Sequence, residues 1–168
     1  MEPLSRTSWK VKAEPTRRAP LGFQTSYNAQ DLQQIRAGLL PEAMEDKWFI
    51  FSEGEWTYFC RSWTGTFVYG LRLEMQGDQA CVAESWVNRD PEEYTGTDTE
   101  YDRALLKFLI DAFLLRGPAT FPVPPGVNES APGVYQHAAV GRAYPESAYV
   151  RSGWWNRILR ALGFRAHD

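Results

Sequence analysis

Between Asp46 and Val87 the chain alternates apolar and aromatic runs of strand length with short polar breaks. The breaks fall at Glu53-Gly54-Glu55, Trp63-Thr64-Gly65 and Gln76-Gly77-Asp78. Runs of this length between such breaks predict a four-stranded antiparallel meander over 46–87. A period of two residues puts Trp48 and Ile50 on one face of the first strand, with Phe49 and Phe51 on the other. In the second strand Trp56, Tyr58 and Cys60 share a face, opposite Phe59 and Arg61. In the third, Phe67, Tyr69, Leu71 and Leu73 fall together, opposite Thr66, Val68, Gly70, Arg72 and Glu74. The fourth places Ala80, Val82, Glu84 and Trp86 on one side. One face is strongly apolar, and the other mixes rings with charges. That is the pattern of a sheet covered by helices on one side and open on the other.

A helical period replaces the strand period on both sides of the meander. Leu32, Ile35, Leu39 and Leu40 follow Asn28, whose side chain is a suitable N-cap, and Pro41 stops the run. This predicts a helix over about 29–39. A second helix is expected over 101–116, with Asp98 or Thr99 as its cap and a wide apolar arc of Leu105, Leu106, Phe108, Leu109, Ala112 and Phe113. Gly117-Pro118 ends it. Residues 1–28, with Pro3, Pro15 and Pro20, read as an extended arm in which 9–13 offers one short edge strand. Residues 117–150 are a Pro-rich loop, and 152–163 form an amphipathic helix carrying Trp154, Trp155, Ile158, Leu159 and Leu162 on one side. The domain is therefore expected to span 29–168. Its fold class is α+β: an antiparallel meander of four to six strands packed against the 101–116 helix, with additional N- and C-terminal helices.

Charge changes this picture locally. The 168-residue chain carries a net charge of −3 with a pI near 5.5, so nucleic acid is an unlikely partner. Residues 1–20 and 142–168 each carry +3, and the remainder carries −9. Basic ends lying near an acidic body, or a basic arm contacting an anionic partner, both fit that distribution. No run of apolar residues reaches the length of a membrane span, and the charged N-terminal stretch contains no apolar signal core. Cys60 and Cys81 lie on strands two and four of a meander, about 10 Å apart, too far for a disulfide. Two reduced thiols suit a soluble cytoplasmic protein.

Candidate chemistry is sparse. The chain has no P-loop, dinucleotide fingerprint or nucleophile elbow. Two histidines and two isolated cysteines do not make a usual zinc site, so neither metal nor cofactor is expected. The most suggestive cluster is Arg61, Ser62, Trp63, Thr64 and Gly65. An arginine beside a Trp-Thr-Gly turn can clamp a phosphate or carboxylate with two donors and a stacking face. Arg72 and Glu84 are candidates for the same open face. The competing structural reading gives Gly65 the turn, Trp63 the sheet end and Arg61 a neighbouring glutamate. The C-terminal helix suits either an anionic membrane surface or docking on the acidic body, and docking is favoured because the core needs that apolar area.

The run Lys47-Trp48-Phe49-Ile50, followed by Trp56 to Gly65 with its Arg61-Ser62-Trp63-Thr64-Gly65 core, resembles a hairpin of uncharacterised bacterial proteins. Their pattern is KWF, an aromatic strand, then HRSWTG, and some members are joined to ADP-ribosylglycohydrolase-type domains. The likeness covers about 30 residues. Cys60 stands where that pattern has histidine, so a role needing an imidazole there does not carry over. The resemblance implies a small accessory domain that binds a nucleotide-like ligand or a protein. Together these features lead to a non-catalytic binding or interaction domain, of accessory or immunity type, using the open face around the RSWTG turn. The alternatives are an enzyme acting on a nucleotide-like or phosphorylated ligand through Arg61, Arg72 and Glu84, and peripheral membrane attachment through the C-terminal helix.

Overall fold

The computed structural model describes residues 2–122. Trp154, Trp155, Ile158, Leu159 and Leu162, the 152–163 helix and most of the Pro-rich loop lie outside the described residues. The fold is α+β. In chain order the elements are β1 (Arg18–Pro20), β2 (Ser26–Asn28), α1 (Ala29–Ala37), β3 (Trp48–Glu53), β4 (Trp56–Arg61), β5 (Phe67–Gln76), β6 (Gln79–Asn88) and α2 (Thr99–Phe108), continued by a π-helical segment, Leu109–Leu114.

Strands β3 to β6 form the meander, each paired antiparallel with the next, in the order β6-β5-β4-β3. The sheet has six strands because the expected arm contributes two of them. Both pair with the outer edge of β6: β1 at Arg18↔Asn88 and β2 at Ser26↔Cys81. The opposite edge, β3, is partly covered by a single bridge between Leu39 and Ile50. Neither long edge is thus left fully open for pairing with another chain.

Both helices begin where side-chain oxygens take up orphan backbone donors. Asn28 accepts from the Asp31 amide at 2.8 Å. Asp98 accepts from the amides of Glu100 and Tyr101. Leu32 and Ile35 of α1, with Leu105, Leu106, Phe108, Leu109 and Ile110 further along, join Trp48, Ile50, Phe59, Tyr69, Leu71, Leu73 and Val82 in the main core.

The second face departs from the expectation. Phe49, Phe51, Tyr58, Cys60, Phe67 and Trp86 form a second buried cluster, with Leu4, Val11 and Trp56 packed against it. Leu4 and Val11 belong to the N-terminal arm, so the face expected to be open is covered. Residues 9–13 form no strand there. Residues 4–12 of the arm are instead held by side chains and one backbone–backbone hydrogen bond. Arg6 makes a forked pair with Glu53, at 2.9 Å and 2.6 Å. The Trp9 indole donates to Ser62 O at 2.8 Å, and Lys12 N donates to Gly65 O at 2.8 Å. The arm is therefore part of the folded unit.

Two β-bulges account for the misassigned side chains. Phe59 pairs with Tyr69 but Cys60 pairs with Phe67, leaving Val68 as an extra residue in β5. Arg72 pairs with Glu84 but Leu73 pairs with Val82, leaving Ala83 as an extra residue in β6. Each inserted residue reverses the side-chain alternation beyond it. Phe67 consequently leaves the face of Tyr69 and Leu71. Trp86 and Glu84 leave the face of Ala80 and Val82.

Gly70 makes the second cluster possible. A Cβ there would lie 2.2 Å from the Trp86 ring, which occupies the space instead. The Arg18 guanidinium caps that ring from outside at 4.9 Å. Gly70→Ala is expected to destabilise the fold by about 1–3 kcal/mol through overpacking. In a Trp86→Leu background the penalty should shrink, because the two sites share one volume. Urea unfolding of the four variants measures the coupling, and equal penalties in both backgrounds would refute this packing.

Candidate functional site

The β4–β5 turn closes on itself before it presents anything. Arg61 N donates to Thr66 O and Gly65 N donates to Arg61 O, both at 2.8 Å. Gly65 adopts a left-handed φ of 75°, and a Cβ there would meet Val11 Cα at 2.8 Å and Lys10 O at 2.9 Å. Any side chain at 65 would be strained and would also lift the arm away from the turn. Thr64 Oγ1 donates to Thr66 Oγ1 at 3.0 Å. Ser62 is buried, its hydroxyl donating to Asp46 O and its amide to Lys47 O at 3.0 Å. The Asp46 carboxylate in turn accepts from the amides of Glu42 and Ala43, at 2.9 and 3.0 Å. The turn and the connection leading into β3 thereby lock together.

Two crossed cation–π contacts join the strands at this corner. Register pairs Trp48 with Arg61, and the Arg61 guanidinium lies 4.4 Å above the centre of Trp48. One step outward, the Lys47 ammonium lies 3.5 Å above Trp63. A cation over an indole contributes roughly 0.5–1 kcal/mol when exposed and about 2 when desolvated. Partial burial, and secondarily the positive charge of Arg61, hold the Lys47 ammonium below the usual lysine range, with Glu45 acting the other way. Trp63 also donates its indole N–H to Met44 O at 2.6 Å. Despite these constraints Trp63 remains 55% exposed, beside Met44 at 80% and Trp9 at 38%.

Other expected site residues are not here. Arg72 lies opposite Trp56 at the far end of β4, five residues from Arg61, or roughly 17 Å along the strand. Trp56 packs against the second cluster, whereas Trp48, the partner of Arg61, belongs to the main core. Arg61 and Arg72 therefore occupy opposite faces as well as opposite ends. Arg72 is ringed by carboxylates: it pairs with Glu74, with Glu84 at 3.6 Å and with Glu55 at 3.7 Å. Three acidic neighbours make it a poor anion site, and Glu84 serves as one of its partners. Cys60 is fully buried, and that burial pushes its thiol well above the ordinary range, the reverse of nucleophile activation.

A groove of about 130 Å³ adjoins the corner, lined by residues that include Leu40, Asp46, Lys47, Trp48, Phe113 and Arg116. Its lining mixes both charge signs, and its volume is below that of pockets that enclose drug-sized ligands. Among the described residues no group of three or more histidine, cysteine, aspartate or glutamate side chains could hold a metal ion. Among the same residues no helix is long and apolar enough to cross a membrane.

One polar cluster leaves no mark in the sequence pattern. Asp102, on the first turn of α2, is fully buried. It accepts hydrogen bonds from Tyr69 at 2.9 Å and Tyr94 at 2.6 Å, and lies 2.8 Å from the Arg89 guanidinium. Burial, reinforced by the carboxylate, raises both phenols well above the usual tyrosine range. Arg89 also donates to Gly96 O and Thr99 Oγ1, tying the 89–98 connection to the start of α2. The cluster fastens α2 to the beginning of β5. It also braces the candidate corner, because Tyr69 stacks on Trp48 at 6.0 Å. Lys47, Met44 and Trp9 were likewise not expected at the site. The lysine of the KWF run was the available signal for Lys47.

Asp102→Ala should cost about 3–5 kcal/mol, because it strands a partly buried guanidinium and two phenols without their shared acceptor. A urea titration showing less than about 1 kcal/mol would rule out that bracing role. Arg61→Gln should move the Lys47 titration upward, towards the ordinary lysine value, since a neighbouring positive charge is removed. Carbon-detected NMR of the lysine side chains reads the midpoint, and a downward or absent shift would contradict the arrangement. No family model, no curated protein and no solved structure matches the chain.

Proposed function

We propose that this protein is a non-catalytic binding domain and that the corner of Trp63, Met44 and Trp9 is its contact surface for a protein partner. One observation carries the reading: Trp63 is fixed by a hydrogen bond to Met44 O and by Lys47, yet leaves 55% of itself exposed. An indole held in one orientation before binding loses little further entropy when a partner covers it. Tryptophan is among the residues that carry most energy in protein interfaces. The contact surface is the edge corner, because the N-terminal arm covers the second face of the sheet. The RSWTG resemblance supports an accessory or immunity-type role in a bacterial system. The enzymatic alternative is less well supported, since it requires Arg61, Arg72 and Glu84 to act on one ligand.

A photo-crosslinking residue placed at Trp63 in cells should give one discrete adduct. The same residue at Met75, an exposed apolar position on β5, should give none. Equal labelling from both positions would remove the basis for assigning the surface.

A further inference from the structure

The corner gathers around one turn three lysines without a carboxylate partner among the described residues. Elsewhere several basic side chains sit beside carboxylates (Arg6 with Glu53, Arg18 with Glu14, Arg72 with three glutamates, Arg89 with Asp102, and Lys107 with Asp111), whereas Arg17, Arg36, Arg103 and Arg116 have none within 4 Å among the described residues. Among the described residues, Lys10, Lys12 and Lys47 have no carboxylate within 4 Å, and all three surround the 61–66 turn. Lys12 N donates to Gly65 O, and the backbone of Lys10 is pressed against Gly65. Val11 packs against the second cluster, while Lys10 and Lys12 on either side of it are exposed. Lys47 completes the ring from the other side of the turn, above Trp63.

A protein of net charge −3 thus concentrates unmatched positive charge around its exposed tryptophans. We infer that the partner of this corner presents an acidic segment carrying an apolar or aromatic side chain. This rests on the interaction-domain reading above and supplies its chemistry. Carboxylates of the partner would meet Lys10, Lys12 and Lys47, and its apolar side chain would lie against Trp63 and Met44. Charge complementarity of this kind selects partners and steers encounter. A protein segment fits better than nucleic acid, because the acidic remainder of the chain repels a continuous phosphate backbone.

Fluorescence anisotropy with the full chain tests this directly. The probe is a labelled peptide of about twelve residues, alternating Glu and Asp around a central Leu-Trp pair. Its control replaces every Glu and Asp by Gln and Asn. The acidic peptide is expected to bind at least about tenfold tighter than the control, and to weaken about tenfold between roughly 50 and 500 mM salt as screening grows. The triple variant Lys10→Glu, Lys12→Glu, Lys47→Glu should lose the preference while keeping its thermal melt, and Trp63→Ala should weaken binding with the salt dependence intact. Equal affinity for both peptides, indifference to the triple substitution, or stronger binding to single-stranded DNA or to phosphatidylglycerol vesicles would overturn the inference. If the peptide preference fails while the Trp63 crosslink persists, the contact surface stands and only its acidic partner is refuted. If both fail, the interaction-domain reading falls as well.

Discussion

A sheet that is apolar on both faces must be covered on both. Most of this structure follows from that constraint. The main face is covered by α1, α2 and the π-helical segment, which bring Leu32, Ile35, Leu105 and Leu109 against Trp48, Phe59 and Tyr69. The second face carries Phe49, Phe51, Tyr58, Phe67 and Trp86, too much ring surface to leave in water. With the helices already used, the cover comes from the N-terminal arm. Because the arm ends its crossing at the β4–β5 turn, it delivers Trp9, Lys10 and Lys12 to the place where Trp63 is exposed. The second core and the candidate surface therefore depend on the same docking event.

The KWF and RSWTG runs make sense as one unit once strand register is known. Lys47-Trp48 and Arg61-Ser62-Trp63 face each other across β3 and β4, and each cation lies over the other run's indole. Trp48 is buried, so its contact with Arg61 is mostly structural, and it passes through Tyr69 to the Asp102 cluster. Trp63 lies on the outside, so its contact with Lys47 orients a side chain that stays accessible. One motif thus performs two tasks, divided by depth. The competing structural reading gave Gly65 the turn, which its left-handed φ supports, and gave Arg61 a glutamate, whereas its guanidinium lies over the Trp48 ring. Trp63 and Thr64 are the exposed positions of the two runs, and Lys47 is half-buried against Trp63.

Much of the fold was legible because turns and caps are local. The breaks at Gly54, Gly65 and Gly77 mark three left-handed turn residues, and Asn28 and Asp98 cap the helices through amides two or three positions away. The bulges at Val68 and Ala83 were not legible. A period of two carries no mark of an inserted residue, and Val68 and Ala83 are ordinary strand residues. That one blind spot misplaced Phe67, Trp86 and Glu84 and made the second face look more polar than it is. The arm was missed for a different reason. Residues 4–12 dock through side chains and one backbone–backbone bond with no strand pattern, and β1 and β2 are only three residues each, so scattered prolines were its main visible feature. The Asp102 cluster was hidden because Glu100 and Asp102 both suit a helix N-terminus, and only the packing of Tyr69 and Tyr94 distinguishes the buried one.

Gly65 shows how fold and candidate surface constrain each other. Its left-handed φ closes the turn, which alone would make it a local requirement. Its missing Cβ also lets Val11 and the backbone of Lys10 approach within contact distance, which makes it a long-range one. The first property fixes where Trp63 points. The second fixes where Trp9, Lys10 and Lys12 sit relative to it. Reading only the first would place Gly65 among ordinary turn glycines. Taken together, they make the surface composite: it is assembled from three stretches, 9–12, 44–47 and 61–65, and none presents it alone. Arm docking is thus a condition for forming the surface, as well as a contribution to stability.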